Sequence, residues 1–141
     1  VAQEIFIDAG FWIALFNRRD EHYDEARTTW RQVIRARWSA ITTNWTLYEA
    51  LTYFNCRLGR YDIAVAALDL VSTSSVIIRV EETLLENRSL EIFYRNADKR
   101  WSVFDCANFA CIEQHQCQYA LSYDRNFVQA QLEFNFPVFR P

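Results

Sequence analysis

Ile5-Phe6-Ile7-Asp8-Ala9-Gly10-Phe11-Trp12-Ile13-Ala14-Leu15 is the stretch on which the fold turns. Ile5-Phe6-Ile7 reads as a short apolar strand that ends at Asp8. Phe11 to Phe16 then reads as a helix. A strand that stops at an acid and gives way at once to a helix sets the pattern sought along the rest of the chain.

That pattern repeats. His22 to Arg37 reads as helix and Ala40 to Thr42 as a short strand. Thr43 or Asn44 can cap the next helix, because a short side-chain oxygen there accepts from the exposed amides of the first turn. Leu47, Ala50, Leu51, Phe54 and Leu58 recur on one helical face, and Gly59 ends it. Tyr61, Ala64, Val65, Leu68 and Val71 give a second helix of the same period. Val76 to Val80 is β-branched and predicts a strand. Glu82 to Asn96 predicts a helix, and polar, basic Asn96 to Trp101 a loop. Ser102-Val103-Phe104-Asp105 opens another helix in the manner of a capping box. That helix runs to about Gln114 and is apolar nearly all round, so it is expected to be buried. Tyr119 to Ser122 reads as strand, Asp124 starts a short helix through about Gln131, and Pro137 to Phe139 suits a final edge strand. Such alternation argues an α/β fold whose parallel sheet carries helices on both faces. In these sheets ligands bind beyond the carboxyl ends of the strands.

Composition agrees. The chain has 141 residues, 51% of them hydrophobic, which suits one compact domain over residues 1–141 and argues against disorder. Two Gly and two Pro are too few for a sandwich of many tight turns. No run is long enough to span a membrane, and the first residues lack the basic head and apolar stretch of a signal peptide. Cys56, Cys106, Cys111 and Cys117 have no CxxC spacing and read as buried thiols of a cytosolic protein. Cys111, His115 and Cys117 match the usual four-ligand zinc pattern poorly. The net charge is -3, and no Lys/Arg block marks a nucleic-acid footprint. If four acids belong to a metal site, the remainder carries -3 + 4 = +1, and an anionic substrate is not excluded.

Four acids carry the chemistry. Asp8 and Asp124 follow strands, Asp105 opens a helix, and Glu49 lies in the second turn of a helix that rises from the same rim. Each has an ordinary reading. Asp8 and Asp124 can be N-caps, Asp105 can complete its capping box, and Glu49, off the apolar stripe, can be a solvated surface charge. Together they gather like charges that cannot all ionise unaided. A divalent cation with a taste for hard oxygen ligands, Mg²⁺ or Mn²⁺, removes that penalty. Such a site suits phosphodiester hydrolysis, because the metal makes a nucleophile of bound water and stabilises charge on the phosphate. No His base is then needed, and neither His22 nor His115 is assigned a role.

At these residues the sequence resembles PIN domains, particularly the VapC-type toxins. Ile5 to Leu15 resembles the family's opening, Thr42-Thr-Asn-Trp-Thr-Leu-Tyr-Glu-Ala50 its second acidic segment, Trp101-Ser-Val-Phe-Asp-Cys106 its third, and Ala120-Leu-Ser-Tyr-Asp-Arg-Asn-Phe127 its last. The resemblance implies a three-layer α/β/α sandwich with a mostly parallel sheet and Mg²⁺- or Mn²⁺-dependent endoribonuclease activity. It carries the metal role onto Asp8, Glu49, Asp105 and Asp124, with Ser102 orienting the site or capping its helix. It also implies a homodimer silenced by a small antitoxin protein. The sequence departs from the family at Ala9, where Thr or Ser usually follows the first Asp.

Arg18, Arg19, Lys99, Arg100 and Arg125 are candidates to contact RNA, and Trp45 and Trp101 to stack on its bases. The alternative is that these cations are solvated and the tryptophans are core. A housekeeping RNA-processing PIN enzyme, or one acting on DNA, satisfies the same acids. A phosphate-accepting signalling domain needs paired acids after the first strand and a late Lys, and a dehalogenase-like phosphatase needs an acid where Gly10 stands. Both are poor matches. A PIN module that binds without cutting is kept open by Ala9.

Overall fold

The computed structural model describes residues 3–74, 77–80 and 82–138. Four parallel strands form one sheet in the order β3-β2-β1-β4. They are β1 (Glu4–Ile7), β2 (Ser39–Thr43), β3 (Ile77–Val80) and β4 (Tyr119–Leu121). Seven helices accompany them among the described residues: α1 (Ala9–Phe16), α2 (Tyr23–Arg35), α3 (Asn44–Thr52), α4 (Tyr61–Thr73), α5 (Glu86–Arg95), α6 (Val103–His115) and α7 (Arg125–Phe134).

The period-two geometry of the strands divides the core in two. Ile5 and Ile7 face one side of the sheet with Ala40 and Leu121, against residues of α1 to α4. Phe6 faces the other with Ile41 and Ala120, against α5, α6 and α7. These three β1 residues, Ile5 to Ile7, are fully buried because helices cover both faces. The expected α/β/α sandwich is therefore the fold. On the second face, Phe109 of α6 is the hub: its ring centroid lies 4.9 Å from Trp101, 5.1 Å from Phe127 and 5.5 Å from Phe134. Burying each such ring stabilises the fold by about 2 to 3 kcal/mol.

Several boundaries differ from expectation. The helix expected to run to Leu58 changes pitch, since Tyr53–Arg57 is a π-helical turn in which the Leu58 amide donates to the Tyr53 carbonyl. Gly59, at φ +62°, then ends the segment as expected. The helix expected over 82–96 is broken: a 3₁₀ turn at Glu82–Leu84 precedes α5, and the break seats Leu85 in the core. Pro137 to Phe139 contributes one parallel bridge, Val138 to Ala120, and Phe139 lies outside the described residues. So does Val76, the first residue of the expected third strand.

All four thiols are free. Cys106, Cys111 and Cys117 are buried as expected, whereas Cys56 is exposed, because it sits on the outer side of the π-helical turn. No helix among the described residues is long and apolar enough to cross a membrane.

Candidate active site

Chain order places the site. From β1 the chain moves outward to β2 and β3, then returns to add β4 on β1's other edge. The carboxyl ends of β1 and β4 thus flank the point where strand order reverses, which is where open α/β sheets bind ligands. The Asp8 amide donates to the Leu121 carbonyl at 3.0 Å, holding the two strand ends together.

A cleft of about 580 Å³ opens there. Asp8, Glu49, Asp105 and Asp124 all line it, as does Ser102. Each arrives by its own element. Asp8 ends β1 and precedes α1; Asp124 follows β4 and precedes α7; Asp105 lies in the first turn of α6; Glu49 is in the second turn of α3. The amino ends of α1, α6 and α7 therefore meet at the cleft, and their partial positive charge favours the carboxylates held there.

The capping readings are resolved one by one. Asp8 precedes α1 without a side-chain capping bond. Its Oδ2 instead accepts from the Ser122 hydroxyl at 2.8 Å. Asp105 does complete the capping box: its amide donates to Ser102 Oγ and its Oδ2 accepts from the Ser102 amide, each at 3.0 Å. Asp124 caps α7, its Oδ1 accepting from the Asn126 amide at 2.8 Å. Glu49 is exposed, as its place off the apolar stripe implies. Capping and membership of the cleft coexist, because a carboxylate has more lone pairs than one capping bond uses.

Electrostatics tie the acids together. Asp8 is only 8% exposed. Burial pushes its carboxyl up to about 7, the Ser122 hydroxyl and the Ala9 amide pull the other way, and the charges of Glu49 and Asp124 add to the rise. Although its side chain is exposed, Glu49 is raised by partial desolvation where it meets the cleft wall, with Asp105 and Asp124 adding to it. Burial raises Asp105 as well, against the Ser102 amide that lowers it, and Asp124 adds to the rise. An all-oxygen donor set under mutual repulsion fits a hard divalent cation. Among the described residues, however, no three His, Cys, Asp or Glu side chains stand together as a ready cage.

Two residues not singled out from sequence organise these acids. Ser122 bonds Asp8 and also accepts the Asp124 amide at 3.0 Å, linking two of the four. Asn126 Nδ2 donates to Asp105 Oδ2 at 2.9 Å, linking α7 to α6. Neither stood out in the sequence, because both bond to residues on other elements.

The cations do not converge on the cleft. Its described lining contains no Lys or Arg. Arg18 and Arg19 line a separate cavity of about 520 Å³ with Arg60. Arg100 lines a third, with Phe93, Tyr94 and Trp101, which meets the acidic cleft at Ser102. Lys99 lies 3.5 Å from Asp98, and Arg125 is exposed at the first turn of α7. Of the two tryptophans, Trp45 lines the cleft, its ring 5.2 Å from that of Phe104. Trp101 is core, 4% exposed, with its indole N–H on Gln129 Oε1.

The PIN domain family model matches residues 5–132. The chain belongs to the PIN domain family. Two curated relatives, both named 23S rRNA-specific endonuclease VapC20, come from two strains of Mycobacterium tuberculosis. Each is 32% identical to this chain over 129 residues, covering 89% of this chain and 93% of the relative. The crystal structure of M. tuberculosis VapC20, described as a Sarcin-Ricin loop cleaving toxin, superposes with a TM-score of 0.83 at 29% identity. That match covers 97% of this PIN chain and 99% of the other. The likeness to VapC-type toxins thus runs nearly the length of the fold, and the PIN family match spans the positions of all four acids.

Proposed function

We propose that this PIN domain is a metal-dependent endoribonuclease that hydrolyses RNA phosphodiester bonds, acting as the toxin of a toxin–antitoxin pair. The observation that carries the reading is the convergence of Asp8, Glu49, Asp105 and Asp124 on one cleft at the sheet's switch point. The similarity to VapC20 supports it and makes 23S rRNA the first substrate to try. A small antitoxin and a second copy of the chain are the partners the family leads us to expect.

In this reading the four carboxylates hold Mg²⁺ or Mn²⁺. Mg²⁺ keeps several of its waters and takes few carboxylates directly, so a cleft whose acids do not form a closed cage suits a hydrated ion. When bound, the ion supplies an activated water and draws charge off the scissile phosphate. The protein's part is placement. Ser122 fixes one oxygen of Asp8, so the other points elsewhere. Asn126 and the Ser102 amide do the same for Asp105. Without metal, burial pushes the Asp8 carboxyl up to about 7, and a bound cation would favour its charged form. Exposed Glu49 and Asp124 stand at the mouth, where solvent and substrate enter. Trp45 and Phe104 offer an apolar wall on which a base can rest. Arg100 and Arg125, beside the cleft, are the cations best placed for flanking phosphates.

The test is cleavage of total bacterial RNA in Mn²⁺, with and without chelator, beside Asp8→Asn and Asp105→Asn. Chelator-sensitive cleavage that both variants lose supports the reading, and fragments mapped to 23S rRNA support the substrate. Cleavage that survives both substitutions overturns the site. A second reading, a PIN module that binds RNA or a partner without cutting, is kept open by Ala9, which leaves no hydroxyl directly after the first Asp. RNA binding without cleavage by the parent protein would select it.

A further inference from the structure

α6 is apolar along most of its length, yet Asn108 sits in its buried stretch, 5% exposed, one turn beyond Asp105. Its side chain lines the acidic cleft. Behind it lies a short chain of hydroxyls. The Thr46 amide donates to Thr43 Oγ1 at 3.1 Å, Thr43 Oγ1 lies 2.8 Å from Thr46 Oγ1, and the Thr46 hydroxyl donates to Asn108 Oδ1 at 2.8 Å.

Thr43 Oγ1 also lies 3.4 Å from Asn108 Oδ1, so both hydroxyls reach the same atom of the Asn108 side chain. Whichever threonine donates to the other, the remaining hydroxyl proton goes to Asn108, which must present its carbonyl oxygen. Turning the amide round would leave one buried hydroxyl without an acceptor among these groups. The amide nitrogen of Asn108 is therefore the end turned away from the threonines. It makes no hydrogen bond among the described residues, although a buried amide with two unused donors is costly.

The cleft offers carboxylates to an incoming phosphate and, in its described lining, no Lys or Arg. A neutral double donor on the wall meets that need without adding charge to compete with a cation. We infer that Asn108 is a substrate-binding residue of this site, its Nδ2 protons donating to a non-bridging oxygen of the RNA phosphate at the scissile bond, with Thr43 and Thr46 as the positioning residues that hold the amide in that sense. The inference rests on the nuclease reading above and adds a contact to it. A hydrogen bond to an oxygen that gains charge during hydrolysis contributes most in the transition state.

Asn108→Leu keeps the approximate volume and removes both donors; Asn108→Ser keeps a group that can accept from Thr46 but cannot reach as far. Steady-state cleavage of total bacterial RNA in Mn²⁺ is compared with the parent, at a temperature where circular dichroism shows each variant folded. Both variants are expected to lose about 10- to 100-fold in kcat/KM. A gel shift with the same RNA, on an Asp8→Asn background that binds without cutting, is expected to weaken about tenfold when Asn108→Leu is added. Thr46→Val, which frees the amide to turn, is expected to lose activity by itself and to add nothing to Asn108→Leu, whereas independent structural defects would add. A kcat/KM within twofold of the parent in either folded variant overturns the inference while leaving the nuclease reading intact. A parent that cuts no RNA overturns both.

Discussion

The Ser122 hydroxyl donates to Asp8 Oδ2 at 2.8 Å, joining residues 114 positions apart in sequence. The bond closes the seam between the ends of β1 and β4 and fixes the most buried acid of the cleft. Ser122→Ala removes it while leaving the backbone pairing in place. Asp8 then loses the strongest influence opposing its raised proton affinity. Mn²⁺ affinity is expected to fall about tenfold, as for other residues that orient a metal ligand, and thermal unfolding is expected to show a loss of about 1 to 3 kcal/mol. Calorimetric titration and melting curves check both; unchanged Mn²⁺ affinity would remove Ser122 from the account.

Ala9 stands where the resemblance to PIN domains leads one to expect Thr or Ser. Ser122 already supplies a hydroxyl to Asp8 from the neighbouring strand. Restoring one by Ala9→Ser is therefore expected to leave the RNA cleavage rate within about twofold. Initial rates on the same RNA decide it. A large gain would mean that Ser122 does not fill the missing role.

The acids also set a pH dependence. Asp8 has a folded pKa of about 7 against an ordinary 3.8, so between those values the folded state keeps a proton that the unfolded chain has released. Stability contributed in this way is fully present below the lower value and is lost as pH rises through the upper one. Glu49 and Asp105 are raised too and act in the same direction. Glu113, lowered by its bond to Arg88, acts in the opposite direction but below its ordinary 4.5. Melting curves of metal-free protein are expected to show a loss on the order of 2 kcal/mol from about pH 5 to about pH 8. Asp8→Asn should flatten most of that slope. A metal-free protein most stable near pH 8 would contradict the assignment.

Much of this was legible in the sequence because it depends on local pattern. Ile5-Phe6-Ile7 and the apolar faces of α3 and α4 mark strand and helix directly. Three of the acids fall where a strand stops or a helix starts, a position the sequence displays. Glu49 was less visible, since an exposed helical Glu looks the same whether or not three other acids face it. Trp101 is a core ring whose indole N–H finds Gln129 across the fold, and nothing near it in sequence distinguishes it from Trp45. Cys56 is exposed because it lies opposite the apolar stripe of Leu47, Ala50, Leu51, Phe54 and Leu58, a placement that outweighs the general tendency of free thiols to be buried. Ser122 and Asn108 were hidden for a different reason. Their partners, Asp8 and Thr46, are 114 and 62 residues distant, so their roles exist only after the strands have paired and the helices have packed.

The central claim is that Asp8, Glu49, Asp105 and Asp124 act as one divalent-cation site. Calorimetric titration of Mn²⁺ into the parent and into Asp8→Asn and Glu49→Gln tests it most directly, because it needs no knowledge of the RNA. Saturable binding by the parent, weakened about tenfold or more in both variants, is the predicted result. Binding to both variants as tight as to the parent would contradict it, for the cation would then be held elsewhere.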